Sequence, residues 1–238
     1  MRLDSKVKYA AAVGAVLALI SFAPPVVAQV ETVVVTAEKR QDYDAPHVYI
    51  TKRADHLITR VKVTCDTRDL NQRKEELKAT LRNMIRSAAN TKTISLGVGE
   101  EIIGDLEETN FDTIIVPDQK ADTSDAYVII KTSISAGDTF NAATARIKEF
   151  IEKTPKVGRT ELLRENDWNL TLVAPEQYRD GLIAQIVTDA MHTSDLFGSS
   201  YAVQVEGLEH RVSWFQKTPL DLGLYIPYTL RVTPQPVH

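Results

Sequence analysis

Five histidines (His47, His56, His192, His210 and His238) and one cysteine, Cys65, are the side chains here with the most versatile chemistry. A metal centre draws several His, Cys or carboxylate ligands together, and its usual sequence mark is a close ligand pair. No His-x-His or His-x3-His pair occurs. One cysteine rules out a disulfide framework within the chain and any Cys-rich zinc site. Cys65 ends an alternating run on its apolar side, which makes it a small buried hydrophobe. The alternative is a redox-sensing or intersubunit thiol in an oxidising compartment. A catalytic thiol would want a histidine beside it in space, and the sequence names none.

Gly97-Val98-Gly99-Glu100-Glu101 is half of a dinucleotide fingerprint. It lacks the third glycine, and acids stand where a pyrophosphate would need open amides, so it reads as a loop. The Gly-x-Ser-x-Gly and Gly-x4-Gly-Lys-Ser/Thr patterns are absent. Asp122-Thr-Ser-Asp125 is too short for an EF-hand loop and reads as a turn. Glu100/Glu101 and Glu107/Glu108 are sequence neighbours, which sets no catalytic separation. The expectation is therefore no catalytic, cofactor-binding or metal residue and no cofactor. An enzyme site assembled only in space is the alternative.

The N-terminus bears on the compartment. Arg2, Lys6 and Lys8 precede an apolar run from Ala10 to Phe22, then Pro24-Pro25 and Val26-Val27-Ala28. This is the order of a secretory signal peptide, and the run falls short of the ~20 residues that span a bilayer. Cleavage after Ala28 would leave 210 residues with 25 basic and 31 acidic side chains, net −6. That balance offers no general attraction for nucleic acid or anionic lipid. The expected location is periplasmic or secreted, in a Gram-negative envelope, with no transmembrane segment after cleavage.

The elements that would position any site follow from periodicity. In residues 57–65, Leu57, Thr59, Val61, Val63 and Cys65 alternate with polar or outward residues, a half-buried strand. A helix over 69–89 is capped by Asp69 with Gln72 as return partner. Its apolar stripe holds Leu70, Leu77, Leu81, Met84 or Ile85, and Ala88; Arg73, Glu76, Thr80 and Asn83 lie opposite. Strands are expected at 93–98, 111–116 and 126–135. A second helix opens at Asp138, with Phe140, Ala143, Ile147 and Phe150 or Ile151 inward, and ends by Pro155 and Gly158. A strand at 168–173 leads to a third helix, opened by Pro175, with Tyr178, Leu182, Ile186 and Ala190 buried. Strands at 201–205, around Trp214 and at 225–232 complete the chain. The sum is an α+β fold, with mixed or antiparallel sheets covered by about three amphipathic helices. Two intertwined subdomains are compatible with it. Residues 1–28 form the signal peptide, 29–46 an extended segment and 47–238 the α+β domain.

This layout resembles the SIMPL domain family of bacterial periplasmic and secreted proteins, over most of residues 30–233. The likeness is carried by Asp69–Ala89, by Tyr127–Ser135 with Asp138–Lys153, by Leu170–Tyr178 through Thr188-Asp-Ala190, and by Ile226–Thr233. The family often opens on a Val-x-Gly-x-Gly strand; here Val33-Val34-Val35-Thr36-Ala37-Glu38 has no glycine. That run instead resembles the TonB-interaction segment that begins mature TonB-dependent outer-membrane receptors. This second resemblance implies a partner-binding segment at Glu31, Val33, Val34, Val35 and Thr36, which would add an extended strand to a partner's sheet. The other reading is a first strand or lead of this domain. The SIMPL resemblance implies an exported, non-enzymatic envelope protein, a homo-oligomer or scaffold, with an envelope or stress role. The TonB-like segment implies instead a module that docks to TonB or an outer-membrane receptor through residues 31–37.

One polar feature crosses these readings. Residues 52–92 carry 11 basic and 5 acidic side chains, and residues 93–125 carry 1 basic and 9 acidic. The two blocks either pair within the fold or steer one subunit toward another.

Overall fold

The computed structural model describes residues 31–34, 46–100 and 102–234. The expected signal peptide, Val35, Thr36 and His238 lie outside them. The fold is built on two ten-residue strands, β3 (His56–Cys65) and β7 (Ser124–Ser133), paired antiparallel from His56↔Ser133 to Cys65↔Ser124. β-Branched residues fill β3 and suit a pleated, covered ribbon. As the alternation predicts, Leu57, Thr59, Val61, Val63 and Cys65 are all buried.

Each end of this ribbon is extended differently. Toward Cys65 it is flanked by β8 (Thr160–Arg164) and by β6 (Val116–Pro117). Toward His56 it continues through β4 (Ile94–Val98), β5 (Ile102–Asp105), β1 (Glu31–Val34) and β9 (Asn169–Val173). Since β9 pairs back onto β3 at 56–58, these six strands close on themselves. Ile58, Ile103 and Ile129 form a buried cluster contributed by three of the six strands. Gly97 makes room for it: a Cβ there would stand 2.2 Å from Ile103 Cγ2.

Helix α1 (Leu70–Ala89) lays Leu77, Leu81 and Met84 on Val61, Val63, Cys65, Ala126, Val128 and Ile130. Asp69 caps it, its Oδ1 accepting from the Gln72 amide at 2.8 Å. The predicted return bond does not form, because the Gln72 side chain donates to Glu76. Asp69→Ala is expected to cost about 1 kcal/mol in a denaturant melt; an unchanged midpoint would remove the cap's role. Leu70, expected inside, is 50% exposed at the helix mouth.

Helix α3 (Phe140–Lys153) bridges two cores: Ile147 and Phe150 join the α1 side, whereas Ala143 joins a second core. Its cap is Thr139, not Asp138, since the Asp138 carboxylate is held by Arg146 and the Ser135 amide. The second core gathers Leu170 and Leu172 of β9 and Leu182 and Ile186 of α4 (Arg179–Phe197). A three-stranded sheet completes it: β2 (Ile50–Arg53), β12 (Asp221–Tyr225) and β11 (Ser213–Gln216). Trp168 packs against both cores. A separate two-stranded sheet pairs β10 (Tyr201–Glu206) with β13 (Thr229–Pro234).

The fold is α+β with antiparallel pairing and three long helices, as expected. The strand predicted at 111–116 is not there. Asn110 bonds back to the Glu107 amide and the Asp105 carbonyl, which starts a 3-10 turn that runs into a short helix α2 (Phe111–Ile114) and buries Phe111. Pro175 opens a 3-10 turn rather than α4 itself. The closing strand starts at Thr229, so Ile226 is a buried loop residue.

Candidate functional site

Polar side chains converge at the Cys65 end of the ribbon, under the first turns of α1. Glu76, read from sequence as outward, is buried. Its carboxylate accepts from Thr67 Oγ1 at 2.6 Å, Gln72 Nε2 at 2.9 Å, the Arg159 amide at 3.1 Å and Cys65 Sγ at 3.2 Å. These donors, Thr67 first, bring its pKa down to about 2 against the opposing effect of burial. Beside it Arg73 donates to Ser124 Oγ and to the Thr67 and Arg68 carbonyls. Gly158 is shaped to the group: its φ is +58°, and a Cβ there would lie 2.0–2.4 Å from the Glu76 carboxyl atoms. Cys65 is fully buried, as expected, yet its thiol faces a carboxylate rather than hydrocarbon.

An open cleft of about 610 Å³ adjoins this network, lined by Lys62, Thr64, Asp66, Lys120, Arg159 and Glu161 among others. Its charges are largely spent on one another. Lys62 Nζ lies 2.9 Å from Asp125 and 3.2 Å from Asp118, and Asp125 chiefly raises its pKa. Arg159 grips Asp66 with two bonds of 2.6 and 2.8 Å, which holds that carboxyl below its usual range.

A second cleft, of about 390 Å³, lies where His47, Val48 and Tyr49 face Gln185, Thr188, Asp189 and His192 of α4. Tyr228 donates to Asp189 Oδ2 at 2.9 Å, and His47 Nε2 stands 3.5 Å from Oδ1. Burial, then Asp189, pushes the Tyr228 phenol up to about 12. The spacing of Asp189 and His192 on one helix was the only local signal for this gathering. His56 on β3 and His210 after β10 lie on other elements. Among the described residues no group of three His, Cys, Asp or Glu has metal-binding geometry.

Glu31, Val33 and Val34 sit in β1, whose backbone pairs with β5 on one side and β9 on the other. The opposite charge blocks pair within the chain: Arg60–Glu100, Lys62–Asp118, Lys62–Asp125, Lys78–Asp112 and Arg82–Glu108. No helix of the described residues is long and apolar enough to cross a membrane. No family model matches the chain, and neither a curated protein nor a solved structure matches it.

Proposed function

We propose that the chain is an exported, non-enzymatic protein of the cell envelope that self-associates or scaffolds partners, as the SIMPL resemblance implies. One observation carries the reading. Of ten large apolar side chains exposed among the described residues, five lie between Val187 and Tyr201: Val187, Met191, Leu196, Phe197 and Tyr201. Val187 and Met191 share one flank of α4, and the Phe197 and Tyr201 rings meet at 5.8 Å; exposed apolar groups gathered in this way mark surfaces that bury themselves against another protein. The cleft beside Glu76 supports it from the other side, since most of its charged groups already neutralise one another.

Expression in a Gram-negative host tests both halves. The expected product is a periplasmic chain lacking its first 28 residues, with a sedimentation mass above that of the monomer. A cytoplasmic full-length chain, or a monomer at about 100 μM, would overturn the reading.

A further inference from the structure

The exposed apolar tract adjoins an open sheet edge. Among the described residues β10 pairs only with β13, so one side of each strand has no partner in the sheet. Two strands alone make a marginal sheet, and an open edge is a template for another strand. Natural edges are guarded by charge, proline or bulges. β13 carries Arg231 and Pro234, but β10, Tyr-Ala-Val-Gln-Val-Glu, has no charge before its last residue. From Met191 to Val205 only Asp195 is charged, which matches the charge-poor centre of protein interfaces.

The helix beneath fits the same side. Tyr228, which leads into β13, is tied to Asp189. At 100° per residue, Val187 and Met191 each lie about 160° around α4 from Asp189. They therefore occupy the flank away from the β13 tether. α4 buries Leu182, Ile186 and Ala190 and leaves Val187 and Met191, 44% and 64% exposed, outside. A helix apolar on more than its core-facing stripe has a second surface to cover.

We propose that a second copy of this chain covers it: β10 pairs antiparallel with the partner's β10 about a twofold axis at Val203, and the Val187–Met191 flanks of the two α4 helices meet. The proposal rests on self-association and names the surface. The occupant is argued from self-complementarity. A twofold axis normal to a sheet requires facing residues of the same parity. The register centred on Val203 sets Val203 against itself, Tyr201 against Val205 and Ala202 against Gln204. It leaves Glu206 outside the overlap, so no like charges face each other across the ladder. Joining the two pairs of strands gives a four-stranded sheet backed by two helices, which closes after two copies.

The processed chain is the material for the test. Val203→Cys should give a disulfide-linked dimer under mild oxidation, whereas Leu163→Cys, exposed on β8, should not. Met191→Glu, on a side chain already in solvent, should keep the wild-type circular dichroism spectrum and raise the dimer dissociation constant about thirtyfold, the loss of one strong interface contact. A monomeric wild-type chain overturns this surface and self-association together. A wild-type oligomer that Met191→Glu leaves intact, with no Val203→Cys cross-link, overturns the surface alone. If Met191→Glu failed to fold, the cross-link would decide.

Discussion

Glu76→Ala is expected to lower the unfolding free energy at pH 7 by about 2–3 kcal/mol, because it leaves buried donors without their shared acceptor. Thr67, Gln72, Cys65 and the Arg159 amide all donate to this carboxylate. Three come from α1 and the strand and turn before it, while the fourth comes from the turn into β8. Removing the acceptor thus loosens the helix from the sheet edge. The pH dependence has a definite sign. Glu76 titrates near 4.5 unfolded and about 2 folded. Its stabilisation is therefore complete above pH 4.5 and is lost as the pH falls from there toward 2. The amount is on the order of 2 kcal/mol once screening at the cleft mouth is allowed for. Urea melts of wild type and Glu76→Ala at pH 7 and at pH 3 check this. The gap between them should narrow at pH 3. A gap of constant size would show that Glu76 acts through packing alone. Gly158→Ala should reproduce much of the loss, since its methyl group would claim the carboxylate's place.

This network also shows where sequence reading runs out. The alternation of 57–65 betrays its buried face, since period two is a local property and helices cover that face throughout. The apolar stripe Leu77-Leu81-Met84 is equally local. Glu76 and Thr80 are buried for a different reason, and Arg73 through its own bonds to Ser124 and to the Thr67 and Arg68 carbonyls. The turn at Pro155–Arg159 folds over the flank of α1, where Thr80 accepts from the Val157 amide and Glu76 from Arg159. Those partners are 77 and 83 residues away, so no window around the helix contains the cause. Distance also hides the cleft of His47 and Asp189. β5 and β8 are missed because short strands with Gly104 or a Leu162-Leu163 pair lack clear alternation, and closure of the sheet selects them. The charge blocks, by contrast, are visible at once, and their pairing within one chain follows from the short path between them.

Trp168→Ala carries the other large expected effect: a loss of about 2–3 kcal/mol, below the range for a fully buried indole because Trp168 is only partly buried, together with a change in how the chain unfolds. The indole meets Phe140 edge-on at 6.3 Å, and the Arg164 guanidinium sits 4.6 Å from its ring centroid. It is one of the few side chains that touch both cores. The second coupling is β3 itself, which places Leu57 in the second core and Val61, Val63 and Cys65 in the first. With Trp168, β3 and α3 all in place, denaturation should be a single cooperative step, monitored equally by fluorescence and by circular dichroism. Without the indole, only the backbones of β3 and α3 join the cores, α3 through Ala143 on one side and Ile147 and Phe150 on the other. The three-stranded sheet around Trp214, the second tryptophan of the chain, should then melt before α1 and its sheet. In Trp168→Ala the fluorescence of Trp214 should therefore change at lower urea than the helical ellipticity. Coincident transitions in that variant would mean that the continuity of β3 and α3 is enough to make the two cores one cooperative unit.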